Sequence, residues 1–261
     1  MGKMRNRIQK LPQSFGHHLK DLAYLVLKSF PRKLLWLSRW TLRTAQSRRR
    51  RLPSTLPKNF SLDDASIVYI NLAKRSDRDL QIRSEFERLG LIDVARFEAI
   101  EDENGGLGCA LSHEACLTGS LRNRASVTII CEDDLEFLAP RQKIEALIQE
   151  FLLDSRLDVL CLGNAVIETP VKISDRLSIS NTVQTTSCYV LKPRSIPHIL
   201  NSARKSAARL GAGRQYSRSA FDQVWKSDQQ WRLVFAVPNT PVAKQRPSFS
   251  DIEKRDVRYQ A

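Results

Sequence analysis

The sequence lacks any long hydrophobic run in its first third. Between residues 15 and 43, Lys28 and the Pro31-Arg32-Lys33 break cut the apolar stretches to a few residues each. A helix that spans a bilayer needs about 20 consecutive apolar residues, so this segment does not cross a membrane in that way. It also lacks the long apolar centre and small-residue cleavage site of a signal peptide. Acidic residues are nearly absent from the first 58 positions, where Asp21 stands against 15 Lys plus Arg for a net of +14. From residue 59 onward, 27 basic residues meet 27 acidic ones. The overall charge of +14 therefore belongs to a leader. An electrically balanced main domain argues against a reader of nucleic acid.

No Cys-x-x-Cys pair occurs, and the five cysteines are odd in number: Cys109, Cys116, Cys131, Cys161 and Cys188. Several sit in apolar runs. Buried reduced thiols of a cytosolic protein are the expectation, not a disulfide framework. Cys109, His113 and Cys116 can be drawn as three metal ligands. No fourth ligand follows at a matching spacing, which argues against zinc. No internal repeat is present.

The leader itself carries apolar residues at helical spacing: Phe15, Leu19, Leu22, Val26 and Phe30, then Leu34, Leu35, Leu37 and Trp40. A basic, amphipathic, Trp-bearing segment suits a membrane interface. Arg48 to Arg51 add a polybasic patch, worth about 1 kcal/mol per charge near anionic lipid. A disordered basic arm, helices packed on the domain and a mitochondrial transit peptide are the other readings. "RLPSTLPK" (51–58) reads as a linker. The expected organisation is a basic amphipathic leader over 1–58 and a catalytic domain over 59–261.

That domain opens as an α/β fold does. "SIVYINL" (66–72) is a short buried strand, and Ser76 is placed to cap a helix bearing Ile82, Phe86 and Leu89. "DVARFEAI" (93–100) is a second strand. A glycine-rich loop follows at Gly105, Gly106 and Gly108, with Ser112 as the expected cap of the next helix. Helix starts after such loops suit anions. Val127 to Cys131, "LDVLCLG" (157–163), "TVQTTSCYVLK" (182–192) and "WRLVFAV" (231–237) are further strands. Pro140 and Pro193 open helices, "SAFDQVWKSD" is a short one, and the tail from 238 reads as polar and irregular.

The sharpest local feature is "SVTIICEDDLEFLAP" (126–140), an apolar strand that stops at Glu132, Asp133 and Asp134. Ligands of open α/β sheets bind beyond the carboxyl ends of strands. Clustered hard oxygen donors suit Mn2+ or Mg2+, shared with a diphosphate. A solvated acidic turn is the competing reading.

"VYINLAKRSDR", "RFEAIEDENGGLGCALSH", "TIICEDDLEF" and "FSDIEKRDVRY" occur in that order across residues 66–259. Together they resemble glycosyltransferase family 25, which includes lipopolysaccharide and collagen-type galactosyltransferases. The resemblance implies a GT-A-like, Rossmann-type nucleotide-sugar-binding sheet flanked by helices. It implies an inverting, metal-dependent transfer of a sugar, galactose above all, from a UDP-sugar to a saccharide or lipid-linked acceptor. By the same resemblance Asn71, Arg75 and Arg78 lie near the nucleotide, and Ser112 and His113 near a diphosphate or acceptor hydroxyl. Glu132 and Asp134 bracket the metal, with Asp133 supporting nucleotide or metal. Asp222 matches the general base or acceptor-binding position, and Asp251 closes the site from the tail. Two departures stand out. Cys131 replaces a common Leu, and "SCYVLKPRSIPHIL" lacks the usual small Gly-Ala elements. With the leader on an anionic membrane, the expected location is cytoplasmic, peripheral at the inner face of the cytoplasmic membrane, with no nucleic-acid partner. The alternative is a non-catalytic nucleotide-sugar, membrane or nucleic-acid binder with a degenerate transferase domain.

Overall fold

The strand that ends in the three carboxylates lies inside an eight-stranded sheet. The computed structural model describes residues 34, 36–45, 59–250, 252 and 255–257. The first half of the leader, Arg48 to Arg51, the linker and Asp251 lie outside the described residues. The chain divides into two compact units, Met1–Ala45 and Gln46–Ala261. In the first, residues 36–45 are helical (α1), with Leu42 exposed and Trp36 buried.

The second unit is α/β. Its strands β1 (Ser66–Asn71), β2 (Ala95–Glu98) and β3 (Thr128–Glu132) alternate with helices α2 (Ser76–Arg88) and α3 (Gly105–Asn123). After the short β4 (Leu135–Phe137) come α4 (Arg141–Leu153), β5 (Val159–Val166), β6 (Val171–Lys172), β7 (Leu177–Ser180) and β8 (Val183–Leu191). Then follow α5 (Ile196–Gly211), three short helices α6 (Tyr216–Ser219), α7 (Phe221–Val224) and α8 (Lys226–Trp231), and β9 (Phe235–Pro238). The large sheet has the order β2-β1-β3-β8-β5-β9-β7-β6. β1 is parallel to both β2 and β3, and β5 is parallel to β9. β8 runs against β3 and β5, and β7 runs against β9 and β6.

The strand cores are what the apolar runs require. Ile129, Ile130, Cys131, Val159, Leu160 and Cys161 are all buried. Trp225 is the largest fully buried side chain and stacks edge-on against Tyr189 and Phe235. All five cysteines are free thiols.

Several expectations need correction. Ser112 does not cap a helix. α3 begins at Gly105 with Asn104 as its cap, the Asn104 side chain accepting from the Leu107 N–H at 3.3 Å. Ser112 therefore lies two turns inside, where its hydroxyl donates to the Gly108 carbonyl and accepts from the Ile100 N–H. Ser76 is the first helical residue, and Arg75 holds the cap position. The tail is not irregular. β10 (Ala243–Gln245) pairs antiparallel with β4, and β11 (Ser248–Ser250) pairs with β12 (Arg255–Val257). No helix among the described residues is long and apolar enough to cross a membrane.

Candidate active site

β1 and β3 are parallel neighbours in register, Ile70 opposite Glu132, so their carboxyl ends open at the same edge. A cleft of about 520 Å³ lies there. Arg78, His113, Glu132, Asp133, Asp134 and Asp222 all line it. Residues 144 positions apart in the chain, from Arg78 to Asp222, thus meet at one edge of the sheet.

The three carboxylates are held differently. Asp133 is the most occupied: Arg78 Nη1 donates to its Oδ1 and Asn71 Nδ2 to its Oδ2, both at 2.9 Å. Burial still raises its pKa above the usual carboxylate range, against the pull of Arg78 and Asn71. Glu132 turns the other way. Its Oε1 lies 3.2 Å from His113 Nε2 and accepts from the Thr186 hydroxyl. Burial works against its charge, but His113, Thr186 and Arg78 outweigh that and lower its pKa.

Asp134 is the unsettled member. Gln245 Nε2 donates to Oδ2 at 2.9 Å, while Arg78 Nη1 stands 3.5 Å away. Its Oδ1 is buried and has no hydrogen-bond partner among the described residues. Burial first, then the charges of Glu132 and Asp133, push its pKa to about 7. A buried carboxylate oxygen left bare costs about 1–3 kcal/mol or more. A cation would remove that cost. The donor set of Glu132 and Asp134 is hard oxygen, so the residues present fit a divalent metal ion.

The facing wall comes from β8 and α7. Thr185 has φ 63°, an outlier for a β-branched residue. The strain coincides with an irregular stretch of the β5–β8 pairing. It aims the Thr185 N–H at Asp222 Oδ2, 3.4 Å away. Burial raises the Asp222 pKa, partly offset by Thr185 and Lys226. A carboxylate of raised pKa facing a cleft is suited to accept a proton.

α3 supplies the floor. Gly108 sits so close to β2's exit that a Cβ there would lie 2.4 Å from the Ile100 carbonyl oxygen. That approach brings Cys109 and His113 to the cleft. His113 is buried, its Nδ1 2.9 Å from the Tyr189 hydroxyl and its ring against Phe221. Burial raises the Tyr189 pKa well above its ordinary value.

Two of the residues expected at the nucleotide do something else. Asn71 is buried behind Asp133: its Oδ1 accepts twice from Arg96, at 2.9 and 3.0 Å, and its Nδ2 donates to Asp133 and to the Arg75 carbonyl. Arg75 turns to Asp77, in a paired contact at 2.9 Å. Neither lines the cleft, whereas Arg78, Ser112, His113, Asp133 and Asp222 do. Gln245, Thr185, Thr186 and Arg96 join the site with no motif to mark them. Gln245 is 111 residues from its partner Asp134, and nothing local marks it.

No protein-family model matches this chain, and no curated protein matches it. Solved structures give low-level likeness. The structure of A197 from STIV is 14% identical, covering 76% of this chain and 94% of that one with a TM-score of 0.43. Mannose-1-phosphate geranyltransferase from Thermus thermophilus is 12% identical over 70% of this chain and 73% of that one, TM-score 0.38. A glycosyltransferase involved in the glycosylation of the major capsid of PBCV-1 is 8% identical over 66% of this chain and 91% of that one, TM-score 0.35.

Proposed function

We propose that this chain is an inverting glycosyltransferase that moves a sugar from a UDP-sugar to a hydroxyl of a saccharide acceptor. The observation that carries the reading is the bare, buried Asp134 Oδ1 in a carboxylate corner facing Asp222 across one cleft. Arg78 is the one guanidinium in direct contact with that corner among the described contacts, and it touches two of the three carboxylates. Glu132 and Asp134 would hold Mn2+ or Mg2+, which when bound supplies positive charge to a departing diphosphate. Arg78 binds Asp133 at 2.9 Å and stands 3.5 Å from Asp134, one guanidinium against three carboxylic groups. Asp222 accepts the proton of the acceptor hydroxyl, its raised pKa bringing it nearer the working pH. His113 is fixed by Tyr189 and points its Nε2 at Glu132, so it orients that carboxylate.

The choice of UDP, and of galactose within it, rests on the resemblance of the four ordered segments to family 25. The membrane-facing acceptor, a lipopolysaccharide or other lipid-linked glycan, and a peripheral site on the inner face of the cytoplasmic membrane rest on the basic leader. The test is a screen of nucleotide sugars for metal-dependent turnover, with product analysis to separate transfer from hydrolysis. UDP-galactose with Mn2+ is the expected pair. Asp134→Asn should abolish metal-dependent turnover and leave the circular dichroism spectrum unchanged. Full Mn2+-dependent turnover by that variant would refute the metal assignment. Absence of any thermal shift with UDP plus Mn2+, against about 2.7 kcal/mol at 100 times Kd, would favour a membrane or nucleic-acid binder with a degenerate transferase domain.

A further inference from the structure

We infer that Cys109, His113 and Glu132 form a second cation site, for a thiophilic divalent ion such as zinc, distinct from the all-oxygen corner at Asp134. One ligand atom from each of the three lies within 4.8 Å of the others. The chemistry of the set differs from that corner: a cysteine sulfur that gives up its proton on metal binding, an imidazole nitrogen and one carboxylate oxygen are a borderline-soft donor set, which oxygen-seeking Mg2+ does not favour. One spacing in the set is what zinc requires. Nitrogen and oxygen ligands about 2.0–2.1 Å from a tetrahedral zinc stand about 3.3 Å apart. His113 Nε2 and Glu132 Oε1 are 3.2 Å apart.

The spacing follows from the helix. Cys109 and His113 are four residues apart in α3, one turn, so both project from one face. Cys116, the third ligand that spacing alone suggests, points into the apolar core with Ile70, Ile130 and Tyr189. Glu132, arriving from the end of β3, takes its place.

The supporting contacts are those of a metal site. His113 Nδ1 meets the Tyr189 hydroxyl at 2.9 Å, and Thr186 donates to the same oxygen of Glu132. A ligand imidazole characteristically donates its other ring nitrogen to an oxygen, which fixes the tautomer and leaves Nε2 free to coordinate. Tyr189 is placed to accept that bond once a metal takes the place of the contact between Nε2 and Glu132 Oε1. All three ligands line the cleft, and Cys109 is partly exposed to it. Three protein ligands with the fourth position open to a substrate cleft is the arrangement of reactive zinc centres rather than structural ones.

The site shares Glu132 with the proposed oxygen corner but needs neither Asp134 nor a nucleotide sugar, so the two readings fail separately. The test is optical and uses the full chain, stripped of metal and titrated with Co2+ without nucleotide. Expected are the visible bands of tetrahedral cobalt and a thiolate-to-cobalt charge-transfer band in the near ultraviolet, saturating at one equivalent and bleached by Zn2+. Cys109→Ser should lose the charge-transfer band while keeping its circular dichroism spectrum, and Asp134→Asn should keep the band. Absence of a charge-transfer band, or a band that survives Cys109→Ser, would overturn the site. Loss of the cobalt bands in Asp134→Asn with retention in Cys109→Ser would overturn it as well.

Discussion

Lys192 shows at the scale of one residue what burying a charge costs the domain. Its ammonium lies 4.7 Å from the centre of the Phe151 ring and donates to the Asp154 carbonyl at 2.6 Å. Burial first, then nearby Arg194, depresses its pKa to about 7. The unfolded chain holds that proton to about pH 10.4. Between those values the unfolded state binds more protons than the folded one, so stability rises with pH across that window and the cost of the charge is fullest below it. Lys192→Met should therefore stabilise the domain by up to a few kcal/mol at about pH 6. The Asp154 carbonyl would keep its second partner, the Leu157 N–H at 3.1 Å. The gain should shrink as pH climbs towards 10. Denaturant melts at a series of pH values measure it, and a gain independent of pH would show the charge is not its source. Asp222 carries the parallel prediction for chemistry. Asp222→Asn should lower kcat by about 10²–10⁴-fold with little change in donor KM. In the parent, kcat/KM should rise with pH through a value above the ordinary aspartate range. Residue types at this scale were only half legible in the sequence. Three carboxylates closing an apolar strand announced themselves. Asn71 and Arg75 matched a motif, yet their side chains are engaged by Arg96, Asp133 and Asp77, and such partners depend on the fold.

At the scale of the element, α3 is where backbone packing makes the site. It contains four glycines with different surroundings, three of which make a graded test. A Cβ at Gly108 would meet the Ile100 carbonyl oxygen at 2.4 Å, one at Gly106 would meet the Tyr216 ring at 2.6 Å, and one at Gly119 would meet nothing among the described residues within 4 Å. Ala exceeds Gly in a helix by about 1 kcal/mol, whereas overpacking against backbone costs about 1–3 kcal/mol. Gly119→Ala should then stabilise by up to about 1 kcal/mol. Gly106→Ala should be near neutral, because the half-exposed Tyr216 ring can swing aside. Gly108→Ala should destabilise by about 1–3 kcal/mol and lower activity by displacing His113. Chemical denaturation of the three variants ranks them, and a neutral Gly108→Ala would mean that the β2–α3 approach is not tight. Elements were legible where burial makes a continuous apolar run, as in β3, β5 and β8. β7 was not, because it reads Leu-Ser-Ile-Ser and buries its serines, Ser178 donating to Asn239. β10 is three residues whose strand character comes from pairing with β4, which no local pattern encodes.

At the scale of the whole molecule, charge is partitioned as sharply as structure. The first 58 residues carry a net +14, and the remainder balances. The strands of the large sheet, β1 at Ser66 through β9 at Pro238, all fall in the balanced part. An excess of this size attracts an anionic surface by about 1 kcal/mol per basic residue near it, and salt screens the attraction over about 8 Å at physiological ionic strength. Full-length protein should sediment with vesicles containing phosphatidylserine and stay in the supernatant with phosphatidylcholine alone. Raising the salt to about 1 M, where screening acts within about 3 Å, should release the electrostatic share and leave only what apolar insertion holds. Residues 59–261 should remain in the supernatant with either lipid, while turning over the nucleotide sugar at the full-length rate when the acceptor is water. Equal sedimentation of the two forms would move the membrane contact to the domain. A truncated form that loses donor turnover as well as binding would show that residues 1–58 contribute to the site and not to location alone.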